Sequence, residues 1–411
     1  MIDIKLIQEK PQKIEKSAKD KGVIINVQKI ISLEKEKSTV NIEVQKLREE
    51  RNVAARKKNI EKGKNLKEEL EGKEKKLKTL ESELNIELLK LPNIPASDVK
   101  EGKDESENEV VKKVGKPAEF KFTPKDHLEL GEALDIIDVR RAAKVSGTRF
   151  AYLKNEGALL EFALVQYAMD FLTKEGFAPI VPPVLIKKEL IQDMGYLALG
   201  EDEMFKTKDE NLFLVGTAEH AIVPMYKDEI LIKKDLPKRY VGFSTSFRRE
   251  AGSYGKDTKG ILRVHQFDKV EMVSFTTPEE DDKENDYLLS LQEKLFQSLE
   301  ISYQVVKMCT GDLGFPAARK YDLEAWIPSE KKYREVTSVS TTTDFQSRRL
   351  NIKYQEGNEK EYVHILNGTA FAIGRTIIAI LENFQQEDGS INIPKVLHKY
   401  LSLTKITSKS S

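Results

Sequence analysis

Two consecutive runs of heptad spacing near the N-terminus constrain the fold of this chain more than any other feature. In the first run six of the eight seam positions are apolar. Those positions are Ile30, Leu33, Lys37, Val40, Val44, Leu47, Arg51 and Ala54. The second run follows the glycine-containing break EKGKN (61–65) and comprises Leu66, Leu70, Lys73, Leu77, Leu80, Leu84 and Glu87. Because a heptad seam is typical of helices that pack side by side, the two runs predict an antiparallel helical hairpin over about residues 27–90.

The tip of the predicted hairpin is strongly basic. Its first arm, about residues 27–61, would extend roughly 50 Å, which places the tip far from any core. Six basic side chains stand there against one acidic side chain: Arg56, Lys57, Lys58, Lys62, Lys64 and Lys67. A nucleic-acid backbone would favour such a self-repelling cluster through counterion release. A coiled coil that serves only as a dimerisation strut or spacer is the alternative, and the pattern alone leaves both open.

Charge and cysteine content narrow the class of protein. The 68 basic and 68 acidic residues balance, so net charge predicts no partner, while the 33% charged fraction fits a long solvated hairpin. Cys309 is the single cysteine, which excludes an internal disulfide and a zinc site built on two thiolates. That content fits a reducing, cytoplasmic compartment, and the charged N-terminus has no signal-peptide core. Neither common glycine-rich nucleotide-binding motif occurs in the sequence.

A change of composition near residue 100 predicts two domains, over residues 1–100 and 101–411. The segment 91–117 combines prolines, glycines and dense charge without periodicity, which indicates a linker or domain boundary. Beyond it, extended runs alternate with helical stretches such as 159–176. Those runs are 213–217, 240–247, 261–267 and 321–327. The apolar stretch 363–381 is interrupted by Asn367, Gly368 and Arg375, so we interpret it as buried core and expect no membrane association.

The sequence FRREAGSYGKDTKGILRVHQFDKVE (247–271) gathers charged and aromatic side chains around a glycine-rich loop. We expect it to form two antiparallel strands. Alternation along a strand would place Arg248 with Glu250 on one face. On the second strand it would align Arg263, His265, Phe267 and Glu271. Guanidinium groups can grip a phosphate and a phenyl ring can stack on a purine, although a network of surface ion pairs is the alternative.

This stretch closely resembles the second signature motif of class II aminoacyl-tRNA synthetases, in the form that bacterial-type seryl-tRNA synthetases use. Residues 364–394 are similar to the third signature, and 176–185 to the first, which forms part of the dimer interface in this class. The blocks 215–220, 311–328 and 334–349 are similar to the segments between them. The basic hairpin resembles the tRNA-binding arm of the family. The resemblance implies an α+β fold, with a mostly antiparallel sheet flanked by helices, and a homodimer.

The resemblance also implies which residues form the site. It assigns ATP binding to Arg248, Arg249, Glu250, Arg263, Val264, Phe267, Glu335, Val336, Thr337, Ser338 and Arg375. Arg263 and His265 are the weaker candidates, for contacts with the triphosphate. It assigns serine binding to Thr217, Ala218, Glu219, Glu271 and Thr369. Arg248 and Arg375 are implied as the catalytic residues, and Glu335 and Ser338 as magnesium ligands. The basic residues of the tip, in the N-terminal domain, are implied to bind tRNA.

The implied reaction has two steps. L-Serine reacts with ATP to give seryl-adenylate and pyrophosphate, and the seryl group then moves to the 3′ end of tRNA(Ser); the family usually accepts tRNA(Sec) as well. Mg²⁺ is expected with ATP, and no zinc, because the rarer zinc-dependent type uses a thiolate. Four residues depart from those that are usual in the family and leave the fine geometry of the pocket open. Thr369 stands where serine is usual, Ile365 replaces a frequent threonine, and Val339 and Thr341 replace a frequent cysteine and asparagine.

Two alternatives from other classes of protein remain. A non-catalytic paralogue that binds tRNA or merely oligomerises would be expected to have lost Arg248, Arg375 or Glu335, and all three are present. An enzyme that charges a carrier protein would be expected to lack the arm, whereas residues 27–90 supply a complete one. The sequence therefore favours the ligase.

Overall fold

The chain forms two compact units, Met1–Ile94 and Pro95–Ser411. The computed structural model describes residues 1–197, 201–251 and 259–408. The division between the units lies a few residues before the boundary that composition suggests. Over the described ranges, no helix combines the length and the apolar character needed to cross a membrane.

The N-terminal unit is helical. Its helices are α1 (Ile4–Glu9), α2 (Pro11–Asp20), α3 (Val27–Arg56) and α4 (Ile60–Leu89). The predicted hairpin is confirmed, because α3 and α4 pack along the heptad seam. One buried cluster joins Val40, Val44, Leu47 and Ala54 of α3 to Leu66, Leu70 and Leu80 of α4. At the other end of the hairpin from the tip, Nζ of Lys29 lies 2.6 Å from Oε1 of Glu87, which ties the two ends together.

The turn of the hairpin lies earlier than the break at 61–65 that the sequence suggested. Helix α3 ends at Arg56, and Lys58 adopts a left-handed backbone with φ of 52°, which terminates the helix. The Asn59 side chain then accepts a hydrogen bond from the backbone N–H of Lys62 at 3.0 Å and so caps α4. Gly63 therefore lies inside a helix. All six basic residues of the tip are exposed.

The C-terminal unit mixes helices and strands. Its helices are α5 (His127–Ala133), α6 (Val139–Ser146), α7 (Asn155–Lys174), α8 (Lys188–Met194), α9 (Glu219–Ile222), α10 (Asp281–Ser298), α11 (Phe345–Leu350) and α12 (Ile373–Asn383). Its strands are β1 (Glu109–Val114), β2 (Ile137–Asp138), β3 (Tyr152–Leu153), β4 (Ala178–Ile180), β5 (Leu185–Lys187), β6 (Leu212–Leu214), β7 (Ile230–Ile232), β8 (Lys238–Phe247), β9 (Gln266–Thr276), β10 (Tyr303–Lys307), β11 (Arg319–Ile327), β12 (Lys332–Thr341), β13 (Lys353–Glu356), β14 (Glu359–Tyr362), β15 (His364–Ala372), β16 (Ile391–Asn392) and β17 (Lys405–Ile406).

An eight-stranded sheet organises this unit, in the order β1-β10-β11-β12-β15-β9-β8-β4. Every neighbouring pair is antiparallel except β4 with β8, which is parallel. The main hydrophobic core contains side chains of α7, α10 and α12 together with alternate side chains of the central strands, such as Val270 and Met272 of β9. The mostly antiparallel sheet with flanking helices that the resemblance implied is confirmed.

Two local predictions need correction. The expected strand 261–267 is a strand only at Gln266 and Phe267, because the chain turns through residues 261–265 before β9 begins. The predicted linker 91–117 contains strand β1, which pairs with β10 at the edge of the large sheet. The apolar stretch 363–381 is buried core, formed by β15 and α12.

Candidate active site

A cavity of about 550 Å³ lies along the sheet, walled by strands β8, β9, β11, β12 and β15 and by the start of α12. Strand β9 shows how the sequence builds it. Phe267, Lys269 and Glu271 face the cavity, whereas Val270 and Met272 between and beyond them are buried in the core. Because alternate side chains leave a strand on opposite faces, a single run of sequence supplies both a packed core and a polar wall.

Arg248 enters the cavity just beyond the end of β8. Its Nε donates a hydrogen bond to the carbonyl oxygen of Gly216 at 3.3 Å, and its guanidinium carbon lies 5.4 Å from the ring centroid of Phe267. The backbone N–H of Arg248 donates to the carbonyl oxygen of His265 at 3.0 Å. Nδ1 of His265 lies 3.0 Å from the carbonyl oxygen of Arg248. His265 therefore holds the backbone of Arg248 and does not line the cavity itself.

Arg375, from the first turn of α12, faces the same cavity and pairs with Glu335 of β12. Its Nη1 lies 2.9 Å from Oε2 of Glu335 and donates to the Glu335 carbonyl oxygen at 3.1 Å. Withdrawal from bulk water opposes ionisation of Glu335, yet the cations of Arg375 and Lys320 outweigh it and lower the pKa of the carboxyl to about 2. The pair therefore presents an ionised carboxylate beside a fixed guanidinium.

A bulge in β12 places Glu335 and Ser338 on the same side of the strand. Side chains three positions apart normally point in opposite directions, but the register with β11 shifts between the pairs Leu323–Thr337 and Glu324–Glu335. Both Glu335 and Ser338 consequently line the cavity. Periodicity alone could not reveal this pairing, because it assumes an unbroken strand.

The donor set of Glu335 and Ser338 suits a hard cation. A carboxylate and a hydroxyl are oxygen donors, and Mg²⁺ is commonly held by one or two carboxylates together with phosphate oxygens and water. The described part of the chain contains no group of three or more His, Cys, Asp or Glu residues arranged to hold a metal on their own. A magnesium ion here would therefore depend on oxygens from a bound nucleotide.

Carboxyl groups line another part of the cavity. Glu219 is buried, and its carboxylate accepts hydrogen bonds from the Tyr196 hydroxyl at 2.9 and 3.0 Å and from Nε2 of Gln346 at 3.0 Å. Burial raises the pKa of Glu219 to about 7, and the nearby charge of Glu271 adds to this rise although the hydrogen bond from Gln346 opposes it. The ionisation of Glu219 is therefore poised near neutral pH.

Glu271 forms a compact polar triangle with Lys269 and Thr369. Nζ of Lys269 lies 2.5 Å from Oε2 of Glu271, and the Thr369 hydroxyl donates to the same oxygen at 3.2 Å. Lys269 also donates to the Thr369 hydroxyl at 3.4 Å. All three side chains are buried. The cross-strand pairing of Thr369 on β15 with Glu271 on β9 brings the triangle together.

Most of the site residues predicted from the sequence converge on this one cavity. The residues that line it are Thr217, Glu219, Arg248, Glu250, Arg263, Val264, Phe267, Glu271, Glu335, Val336, Thr337, Ser338, Thr369 and Arg375. Arg248 and Arg375, 127 positions apart in the sequence, share it. Nη1 of Arg263 lies 3.1 Å from Oε2 of Glu250, which links two of the predicted ATP contacts.

Three of the predicted contacts, His265 among them, lie outside the cavity wall. Ala218 is fully buried and packs in a hydrophobic cluster with Ile222 and Val223. Arg249 points away, with its guanidinium 5.8 Å from the ring centroid of Phe205 and its backbone N–H bonded to the carbonyl oxygen of Glu203.

The charged residues beside the loop do not follow the strand alternation that the sequence predicted for them, so that prediction was wrong. Strand β8 ends at Phe247 and β9 begins at Gln266, so Arg248, Glu250 and Arg263 leave turns rather than strands. Glu250 has a left-handed backbone with φ of 50°. These side chains converge because the turns fold over the cavity. Residues 252–258 of the glycine-rich loop lie outside the described residues.

Several cavity residues were missed at the level of sequence. Lys269, Lys320, Tyr196 and His220 line the cavity, and Gln346 holds Glu219 from behind. The period-two run Phe267–Lys269–Glu271 was a usable signal for Lys269. Tyr196 and Gln346 come from separate segments and carry no local signal, because only tertiary packing brings them to Glu219.

The four departures from the common family wording fall in different places. Thr369 lines the cavity, so the methyl group that it has and serine lacks bears directly on the shape of the cavity. Ile365 and Val339 are fully buried in hydrophobic clusters. Thr341 is buried and donates a hydrogen bond to the Asp281 carboxylate at 2.7 Å. The last three lie outside the cavity lining.

Comparisons with known proteins point to one family. Residues 204–384 match the model of the class II tRNA synthetase core domain (G, H, P, S and T), and residues 1–95 match that of the seryl-tRNA synthetase N-terminal domain. A serine–tRNA ligase of Dictyoglomus turgidum is 44% identical over 424 residues and covers 100% of both chains.

Two solved structures are similar over the full chain. The seryl-tRNA synthetase of Pyrococcus horikoshii complexed with ATP has a TM-score of 0.94 and 40% identity, with 100% of both chains covered. The cytoplasmic serine–tRNA ligase of Naegleria fowleri in complex with AMP has a TM-score of 0.89 and 31% identity, covering 100% of this chain and 99% of that one.

Proposed function

The chain belongs to the seryl-tRNA synthetases, a family of class II aminoacyl-tRNA synthetases, and we propose that its cavity joins L-serine to the α-phosphate of ATP before transfer to tRNA. The activity is that of a serine–tRNA ligase. The observation that carries the proposal is the shared cavity of Arg248 and Arg375, with the buried carboxyl groups of Glu219 and Glu271 on its wall. Guanidinium groups match a polyphosphate, and carboxylates match the ammonium and hydroxyl of an amino acid.

The nucleotide is proposed to lie against β9 and the start of α12. Arg248 grips the α-phosphate, and Glu250 meets the edge of the adenine. Phe267 and Arg375 enclose the adenine ring, with Arg375 also reaching the γ-phosphate. Support comes from the guanidinium carbon of Arg248, which lies 5.4 Å from the ring centroid of Phe267. Arg263, Val264, Val336 and Thr337 line the same cavity and are proposed to complete the nucleotide pocket.

The proposed reaction needs no covalent bond between the protein and a substrate. The serine carboxylate attacks the α-phosphorus in line, the bond to the bridging oxygen breaks, and pyrophosphate leaves with the negative charge. No general base is needed, because the nucleophile is already ionised. The rate then depends on alignment and on positive charge placed where the phosphate oxygens gain charge. Arg248 and Arg375 supply that charge from fixed positions.

Magnesium is proposed to accompany ATP. Glu335, whose pKa of about 2 keeps its carboxylate ionised, and Ser338 would hold the ion. When bound, the ion would neutralise phosphate charge and so favour the departure of pyrophosphate. Arg375 orients the Glu335 carboxylate through their ion pair at 2.9 Å.

Serine is proposed to bind at the carboxyl-lined part of the cavity. Glu219 and Thr217 receive its ammonium group, and Glu271 accepts a hydrogen bond from its hydroxyl, with Thr369 closing the pocket. A buried acceptor that loses its partner is costly, so such a site rejects alanine by about 10⁴–10⁵-fold. Threonine keeps the hydroxyl and has to be rejected by shape, to which the methyl group of Thr369 contributes.

The pKa of Glu219 gives a testable pH dependence. The carboxyl is ionised above its pKa of about 7, so protonation removes the negative charge that the serine ammonium meets as the pH falls. We expect kcat/KM for serine to fall about ten-fold for each pH unit below that pKa. Pyrophosphate exchange measured between pH 5.5 and 8.5 tests this. Glu219→Gln is expected to flatten the profile at a lower rate, and an unchanged profile in that variant would contradict the assignment.

The basic tip of the hairpin is proposed to bind the tRNA backbone. Replacing Arg56, Lys57 and Lys58 by glutamine is expected to reduce the salt dependence of tRNA binding, with the slope falling by about 0.7–0.9 for each phosphate that no longer has a cationic partner. Filter binding at several salt concentrations measures the slope. A matched triple replacement of the exposed Lys5, Lys13 and Lys19, outside the hairpin, controls for net charge. Equal slopes in the two variants would remove the tip from the interface.

A homodimer is proposed from exposed apolar side chains of the catalytic unit. Leu159 and Phe162 on α7 are 51% and 68% exposed, and Val181, just after β4, is 76% exposed. Large apolar groups in water are unfavourable, and a second copy of the chain would cover them. Phe162→Glu is expected to shift the protein toward monomer in sedimentation velocity, whereas the wild-type chain sediments as a dimer. A wild-type monomer would rule the proposal out.

We propose that the enzyme acts in the cytoplasm. Aminoacylation of tRNA by the purified protein tests the proposed function as a whole. The protein is expected to attach labelled serine to tRNA(Ser), and we include tRNA(Sec) as the second proposed substrate. Alanine, threonine and cysteine serve as competing amino acids. Preference for another amino acid would overturn the substrate, and transfer to a carrier protein instead of tRNA would favour the alternative enzyme. A non-catalytic paralogue would be expected to have lost Arg248, Arg375 or Glu335. All three face the cavity.

A further inference from the structure

Lys269 stands between the two proposed substrates along strand β9. Phe267, proposed to stack on the adenine, lies two residues before it, and Glu271, proposed to bind serine, lies two residues after it. All three side chains face the cavity. Successive side chains on one face of a strand are about 7 Å apart, so Lys269 lies near the place where nucleotide and amino acid meet.

The ammonium of Lys269 forms an ion pair with Glu271. Nζ lies 2.5 Å from Oε2 of Glu271, and the Thr369 hydroxyl donates to that same oxygen at 3.2 Å. Both contacts fall on Oε2 rather than Oε1. A carboxylate whose Oε2 is fixed in this way can accept a hydrogen bond from a ligand at Oε1.

The two carboxyl groups near Lys269 are stabilised by its positive charge. Burial lowers the pKa of Lys269, while the adjacent Glu271 raises it and Arg248 lowers it further. The charged groups that face it are Glu271 on its own strand, Glu219 on α9 and Arg248 beyond β8. Two carboxyl groups in one buried pocket cannot both ionise easily without a cation. Because Arg248 is proposed to pair with the α-phosphate, the charges left for the amino acid are the two carboxylates and the Lys269 ammonium, a net of one negative charge that matches a single substrate ammonium.

We propose that Lys269 is a positioning residue for the amino-acid substrate, which holds the Glu271 carboxylate in the orientation that accepts the hydrogen bond of the serine hydroxyl. Thr369 is the third member of this device. Its hydroxyl contacts both partners, and its β-branched side chain restricts χ1, so the triangle has little freedom to rearrange. The inference rests on the proposed binding of serine.

Replacement of Lys269 by methionine tests the inference in the full-length protein. The KM for serine in pyrophosphate exchange is expected to rise at least about 30-fold, the lower end for truncating one partner of a buried charge pair. The KM for ATP is expected to stay within about three-fold, since the replacement weakens only the binding of the amino acid. The serine kcat/KM profile should move to higher pH, because the positive charge of Lys269 lowers the pKa of Glu219 and its loss lets that pKa rise. A serine KM and pH profile like those of the wild type would overturn the proposal.

A double variant keeps the test decisive if the methionine variant does not fold. Lys269→Met combined with Glu271→Gln removes both charges, and it is compared with Glu271→Gln alone. If Lys269 acts through Glu271, the double variant and Glu271→Gln have the same serine KM. A clearly higher serine KM in the double variant would show that Lys269 has an independent role and would contradict the proposal. Wild-type protein without serine-dependent exchange would instead refute the proposed function, so the two failures are distinguishable.

Discussion

Arg375→Gln is expected to slow serine-dependent pyrophosphate exchange by about 10²–10³-fold, corresponding to about 2.7–4 kcal/mol of lost transition-state stabilisation. Arg375 makes two contacts with Glu335 and faces the proposed triphosphate position. Its removal takes away a cation where phosphate oxygens gain charge. It also breaks the ion pair with Glu335, and the carboxylate that loses its guanidinium partner then repels the phosphate oxygens. Arg248→Gln should have an effect of similar size, because Arg248 faces the α-phosphate in the proposed complex.

Two further variants separate charge from geometry in this prediction. Arg375→Lys retains the positive charge but not the planar pair of donors, and we expect it to recover only part of the rate. Lys283→Gln on α10 removes a cation whose side chain is 81% exposed, and it should leave the rate unchanged. If Arg375→Gln exchanges pyrophosphate at the wild-type rate, Arg375 does not contact the triphosphate in the transition state.

Deletion of the helical hairpin is expected to separate the two steps of the reaction. Helices α3 and α4 run over Val27–Arg56 and Ile60–Leu89, and the ion pair between Lys29 and Glu87 holds their far ends together. A short glycine linker can therefore replace residues 27–89. Pyrophosphate exchange should persist, because the cavity residues all belong to the other unit. Charging of tRNA should fall by about 10³-fold or more, as expected when many phosphates lose their cationic partners.

Comparison of the two activities in one preparation provides the internal control for the deletion. A variant that loses both activities is damaged as a whole, and the replacement of Arg56, Lys57 and Lys58 in the full-length chain then takes its place. A deletion variant that still charges tRNA at the wild-type rate would show that the hairpin makes no essential contact with the nucleic acid.

The helical hairpin was the most predictable part of the fold. Its seam follows from the spacing of apolar residues such as Val40, Val44 and Leu70, because buried positions recur every three or four residues in any packed helix pair. Its turn was placed too late. The sequence signal of Gly63 was overridden by Asn59, which caps α4, and by the left-handed backbone of Lys58. A cap is a local hydrogen bond whose position is set by a single residue, so heptad spacing does not reveal it.

The site was accessible from the sequence through the resemblance more than through periodicity. Alternation works along β9, where Phe267 and Glu271 share a face. It fails for Arg248 and Arg263, which leave turns, and for Glu335 and Ser338, which a bulge aligns. Gln346 reaches Glu219 from a helix 127 positions away, so nothing local indicates the contact. Bulges and long-range packing depend on the whole sheet. The sequence therefore indicated the chemical type of these residues more clearly than their positions in the site.

Exchange of labelled pyrophosphate into ATP measures the central claim most directly, since it reports the reversible attack of an amino-acid carboxylate on the α-phosphate without any tRNA. We expect the purified wild-type protein to catalyse the exchange only when serine is added, with both Arg248→Gln and Arg375→Gln strongly impaired. Exchange that does not depend on serine, or that proceeds equally well without these two guanidinium groups, would contradict the role proposed for the cavity.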